Sequence, residues 1–190
     1  MRTHDQSISA EQAVRMLQAG NDAFVNEDAQ FGDISTRIRR HSTKAGQEPY
    51  AIVITCSDSR VIPEAIFSAG IGELFVIRVA GNVIDDHQLG SIEYAASHLG
   101  SNLVLVLGHD HCGAVDAALN HDPDGYVKYI TDEIKSAIGE ASDPLEATRL
   151  NVMHSMDVIE HSLQIQHEEE LGLKVKGAIY HLEDGSVEWL

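Results

Sequence analysis

Tyr50-Ala51-Ile52-Val53-Ile54-Thr55-Cys56-Ser57-Asp58-Ser59-Arg60 is an apolar, largely β-branched run that ends abruptly in a polar loop. Leu103-Val104-Leu105-Val106-Leu107-Gly108 repeats the pattern some fifty residues later and leads into His109-Asp110-His111-Cys112. Continuous apolar runs of this kind are strands covered on both faces, as in a parallel sheet. Open parallel sheets bind ligands just beyond the carboxyl ends of their strands. The two polar runs are therefore placed to meet in one crevice, and they bring two Cys, a His and an Asp to it.

Working outward, strands alternate with helices. Residues 8–27 have helical spacing, with Ser9 as N-cap and Gln12 three residues on. A second helical piece covers 33–42, and Pro63 opens a short helix through Ser68. Leu74–Val79 is a strand, 88–99 a helix, and 113–120 another helix after the second polar run. Helices follow at 124–140 and 145–168, separated by Ser142-Asp143-Pro144. Val175–His181 is a further strand, and Asp184-Gly185 turns it into an antiparallel edge strand at 187–190. The pattern predicts one α/β domain over 1–190: about four parallel strands plus an antiparallel edge strand, flanked by helices. Residues 1–45 form an amino-terminal helical arm, whose helix could pack on another subunit, and 46–190 form the α/β core.

Composition narrows the function classes. The 190 residues include 43% hydrophobic and 23% charged, ordinary values for a globular protein. The net charge of -17 opposes binding to nucleic acid phosphates or anionic membranes. No apolar stretch reaches the roughly 20 residues a membrane helix needs. Met1–Gln6 has no apolar secretory region, so the expected location is cytoplasmic.

The two cysteines of the chain are Cys56 and Cys112. A disulfide is disfavoured in a cytosolic setting, and a pair of inert buried thiols leaves Asp58, Arg60 and His109 unexplained. Cys56, His109 and Cys112 form a zinc set, one ion per chain, with an open fourth position of catalytic type. His109 and Cys112 are three apart where a strand turns into a helix, so one ion can be gripped by both. His111, between them, points elsewhere. Two thiolates offset the ion's charge and weaken it as a Lewis acid, so a helper is useful. Asp58 can bind zinc as a fourth ligand or accept a hydrogen bond from the zinc water. Arg60 can hold Asp58 off the metal and keep it ionised, since a guanidinium grips a carboxylate in a bidentate fashion. The plain alternative for Asp58 and Arg60 is a loop salt bridge.

Cys-Ser-Asp-Ser-Arg, Gly-Glu-Leu-Phe-Val-Ile-Arg, Ala-Gly-Asn, Ser-Ile-Glu-Tyr-Ala and Gly-His-x-x-Cys-Gly-Ala-Val, in this order, resemble the β-class carbonic anhydrases from about Gln47 to Val115, and more weakly over 175–190. The resemblance implies reversible hydration of CO2 to bicarbonate and a proton. It implies zinc on Cys56, His109 and Cys112, with Asp58 and Arg60 orienting the zinc-bound water. It implies a homodimer, often doubled to a tetramer, with the site at the subunit interface. Gln47 matches a substrate hydrogen-bond donor, Phe75 and Tyr94 match aromatics that line a neighbouring subunit's CO2 pocket, and Gly113 matches a backbone contact near substrate. Read from the chain alone, Phe75 and Tyr94 are equally core residues and Gln47 a polar loop residue.

Two positions depart from the family pattern. Val79 stands where asparagine is usual, and Val53 where the bicarbonate-regulated branch has tryptophan. The second departure predicts the open form, with Asp58 on Arg60 rather than on zinc. Two other readings remain: a related zinc hydrolase acting on COS or CS2, and a non-catalytic zinc-stabilised interaction module. The latter gives no reason for Asp58, Arg60 and Gln47 together.

Overall fold

The computed structural model describes residues 7–27 and 32–190. Through them runs one sheet in the order β2-β1-β3-β4-β5. Strands β1 (Ala51–Thr55), β2 (Leu74–Arg78), β3 (Leu103–His109) and β4 (Lys174–Tyr180) are parallel, and β5 (Val187–Trp189) is antiparallel to β4. This is the expected α/β arrangement. The two apolar runs are adjacent central strands, with Thr55 opposite Leu107, so both polar loops leave the same end of the sheet side by side.

Helices α1 (Ala10–Val25), α2 (Thr36–Ala45), α3 (Pro63–Ile66), α4 (Asp86–Leu99), α5 (Gly113–Asn120), α6 (Val127–Ile138), α7 (Pro144–Glu160) and α8 (Leu163–Glu170) flank the strands, with a 3₁₀ turn at Ala80–Asn82. Alternation along β1 and β3 divides the core. Val53, Leu103, Leu105 and Leu107 face α1 and α3, where Ala13, Leu17 and Ile66 are buried. Ile52, Ile54, Val104 and Val106 face α4, α7 and α8, where Ile92, Val152 and Ile165 are buried.

One expectation changes. Helix α1 has the predicted Ser9–Gln12 capping box, and one of its faces packs on its own chain. Its buried Asn21 donates Nδ2–H to the carbonyls of Ile66 (3.3 Å) and Gly185 (2.8 Å) and accepts the Val187 N–H (3.0 Å). Residues 1–6 and 28–31 of the predicted arm lie outside the described residues. The helix expected over 145–168 is two helices. Ser162 is extended, accepts the Ile165 N–H and donates to Glu93 Oε1 at 2.6 Å. A second N-cap thus ends α7 and starts α8 without proline or glycine.

Gly108 sets how closely α7 lies on the sheet. A Cβ there would sit 2.5 Å from Val152 Cγ2 and 3.2 Å from Thr148 Cγ2. Overpacking of this kind costs about 1–3 kcal/mol. Gly108→Ala is expected to lower Tm by roughly 5 °C, measured by thermal unfolding. An unchanged Tm would show that α7 yields freely.

Candidate metal centre

Cys56 follows β1, His109 ends β3, and Cys112 is the N-cap of α5. Parallel pairing of β1 with β3 brings the three together, and their ligand atoms all lie within 4.8 Å of one another. His109 is fully buried, and each cysteine is 4% exposed. The Sγ atoms are 4.0 Å apart and both thiols are free. That is about twice a disulfide bond, and close to the ~3.8 Å edge of a tetrahedron with Zn–S bonds of about 2.3 Å.

The polar bookkeeping is incomplete without a cation. His109 Nδ1–H donates to the Asp110 carbonyl at 2.7 Å, because a carbonyl can only accept. The lone pair is thereby placed on Nε2, which is buried with no hydrogen-bond partner. A buried, unsatisfied nitrogen costs about 1–3 kcal/mol. Beside it the two thiols face each other, and either can be the donor. The Cys112 thiol, with the His109 imidazole and the N–H groups of Gly81 (3.3 Å) and Asp58 (3.4 Å), holds the Cys56 thiol well below its ordinary range against the effect of burial. Cys112, which faces Cys56 and is buried, is raised. Burial works against a charged His109, yet the Cys56 thiolate raises its pKa overall. Two cysteine sulfurs and one imidazole nitrogen in this space fit a soft divalent cation such as zinc.

Around this set the loops are fixed. Arg60 holds Asp58 through Nε–H to Oδ1 (3.0 Å) and Nη2–H to Oδ2 (2.7 Å), while the Arg60 N–H donates to Oδ1 (2.9 Å). The Arg60 guanidinium, aided by that N–H, keeps the carboxyl well below the usual carboxylate range. Asp58 Oδ2 lies 4.0 Å from His109 Nε2. Arg60 also donates to the His111 carbonyl (3.3 Å), tying the first loop to the second. His111 itself is exposed, consistent with a side chain directed away from the ligands.

Gln47, Phe75 and Tyr94 lie apart from this group, whereas Gly113 and Val79 adjoin it. Gln47 is exposed beyond α2, in the lining of a cavity of about 230 Å3 with Ile38, His41 and Glu48. Phe75 and Tyr94 pair with each other, ring centroids 6.3 Å apart, with Tyr94 48% exposed. Phe75, on the edge strand β2, is half-buried against the core beneath α4, and Tyr94 of α4 is exposed beside it. Gly113 is the exposed first residue of α5. Val53 is buried within β1, and Val79 packs beside Cys56 and Cys112.

Several site residues escaped the sequence reading. Arg78 donates to the carbonyls of Cys56 (3.2 Å) and Asp58 (2.7 Å). Gly81 has φ +69°, and a Cβ there would meet Ile134 Cδ1 at 2.7 Å, so only glycine fits where its N–H reaches Cys56. Buried Asn151 and Ser155 of α7 donate to the carbonyls of Gly81 (2.8 Å) and Asn82 (3.0 Å) and hold that turn. A polar i, i+4 pair on an otherwise apolar helix face is the signal that could have found them.

Comparison with known proteins agrees with this geometry. A family model described as carbonic anhydrase matches residues 51–187. Carbonic anhydrase 2 of Mycobacterium tuberculosis is 44% identical over 131 residues, which are 66% of this chain and 63% of that protein. The match thus spans a little under two thirds of that relative's length. The carbonic anhydrase of Mycolicibacterium smegmatis is 38% identical over 162 residues, 79% of each chain. Among solved structures, the β-carbonic anhydrase CafA of Aspergillus fumigatus superposes with TM-score 0.73 at 26% identity, covering 81% of each chain. The Coccomyxa β-carbonic anhydrase in complex with acetazolamide gives 0.70 at 27% identity, also covering 81% of each. With its fold, its Cys-His-Cys group and these relatives in agreement, the chain belongs to the β-class carbonic anhydrase family.

Proposed function

We propose that this chain works as a single domain, holds one zinc ion on Cys56, His109 and Cys112, and catalyses reversible hydration of CO2 to bicarbonate and a proton. The observation that carries the reading is the buried His109 Nε2, unpartnered, grouped with two cysteine sulfurs 4.0 Å apart, beside a carboxylate kept ionised by Arg60. A zinc ion there would supply a Lewis acid able to bring the pKa of its water to about 7.

The remaining work falls to the chain's own side chains. Asp58, ionised and therefore only an acceptor, can take a hydrogen bond at Oδ2 and fix the direction of its donor. Arg60 occupies both carboxylate oxygens, which supports a role for Asp58 as acceptor rather than fourth ligand. Gln47, Phe75, Tyr94 and Gly113 are proposed substrate contacts, completed by a second copy of the chain. The edge position of β2, with half-buried Leu74–Ile77, supports self-association as a homodimer or dimer of dimers, because an unpaired apolar edge invites pairing. No helix among the described residues is long and apolar enough to cross a membrane. The two free cysteines fit a reducing compartment such as the cytoplasm.

The deciding experiment is stopped-flow CO2 hydration on protein of measured zinc content. Activity is expected to scale with zinc. One zinc per chain with no CO2 turnover would move the assignment to COS or CS2. Cys56→Ser is expected to lose zinc and most activity; full zinc content in that variant would remove Cys56 from the ligand set. Asp58→Ala is expected to retain zinc and lower kcat by about 10²-fold or more, so an unchanged kcat would exclude Asp58 from the proton chemistry.

A further inference from the structure

We propose that Asp110 is a positioning residue for the His109 ligand, and that the segment after β4 holds Asp110 in place. The inference rests on the zinc reading above. The lone pair on His109 Nε2 is directed by one contact, the hydrogen bond from Nδ1–H to the Asp110 carbonyl. A ligating imidazole is oriented by the acceptor on its other nitrogen, so whatever fixes that carbonyl fixes the ligand.

Local backbone preference does not supply the restraint. The next residue, His111, sits at φ +49°, a region that non-glycine residues seldom adopt. The restraint comes from across the sheet. The Asp110 N–H donates to the Tyr180 carbonyl (3.1 Å), extending the β3–β4 ladder past His109. The Asp110 carboxylate then accepts the Leu182 N–H at Oδ1 (3.0 Å) and faces His181 Nδ1 at Oδ2 (3.3 Å). His181 Nε2 faces Glu188 Oε2 on β5 (3.4 Å), and Arg149 of α7 holds the other oxygen of Glu188 (2.9 Å). A chain of polar contacts thus runs from α7 through the β4–β5 hairpin to the imidazole. A carboxylate serving only the hairpin would need no link to the ligand, yet this one belongs to the residue whose carbonyl takes the His109 proton.

The test reads the metal, not turnover. Zinc affinity is measured by competition with a chromophoric chelator, and ligand geometry from the visible d–d bands of the cobalt(II)-substituted protein. Asp110→Ala is expected to weaken zinc binding ~10 to 100-fold and to shift the cobalt bands. Asp110→Asn keeps an oxygen for the Leu182 N–H and is expected to stay within about threefold of the parent. His181→Ala removes the second contact in a chain that keeps Asp110; it is expected to shift the bands with a smaller loss of affinity, and it carries the test if Asp110→Ala does not fold. A folded Asp110→Ala protein with parental affinity and bands overturns the proposal, as does a His181→Ala protein with parental bands. A parent that binds no zinc overturns the metal reading together with this one, so the two failures are told apart by the parent alone.

Discussion

Three buried ligand-type side chains crowded into one small space set the terms for this structure. Cys56, Cys112 and His109 hold their ligand atoms within 4.8 Å of one another. Neutral thiols offer the imidazole nitrogen only a weak donor, and two thiolates would leave charge buried without a counter-ion. Either state is expensive in a dry interior. The arrangement is tolerable because a divalent cation would satisfy all three donors at once, and because the surrounding chain prevents them from drifting apart.

That prevention is distributed over the fold. β1 and β3 fix the distance between the first and last ligands by ladder register. Arg78 and Arg60 hold the first loop by its carbonyls and its carboxylate, and Arg60 reaches the second loop as well. From behind, α7 grips the 80–82 turn through Asn151 and Ser155, and that turn in turn donates to Cys56. Gly108 lets α7 lie close enough to make this grip.

The central strands, their order of polar loops and the three ligands were legible because apolar runs and donor spacing are local signals. Asp58 and Arg60 were legible for the same reason, being two and four residues from Cys56. The supports were not. Arg78 looked like the polar end of a strand, and Asn151 and Ser155 like ordinary helix residues, since their partners lie some seventy residues away in sequence. Ser162 has no proline or glycine near it, so only its capping bond reveals the break between α7 and α8. The own-chain packing of α1 depends on Asn21 reaching 164 residues along the chain to Gly185, which no periodicity encodes. The half-buried position of Phe75 and the exposure of Tyr94 beside it follow from β2 being the edge strand, a property of strand order rather than of composition.

The separation of the ligands along the chain has a consequence for how the centre comes into being. His109 and Cys112 can meet within one turn, but Cys56 is 56 residues from Cys112 and joins them only after β1 has paired with β3. Closing so long a loop is an entropic cost that a two-donor contact with a metal ion would hardly offset. In a small zinc finger the ion drives folding; here the sheet must come first, and the ion arrives at a nearly finished pocket. Correct metal loading would therefore serve as a readout of completed strand pairing. A slip of one residue in β1 would turn Cys56 to the opposite face and leave a chain that still collapses but has only two donors to offer.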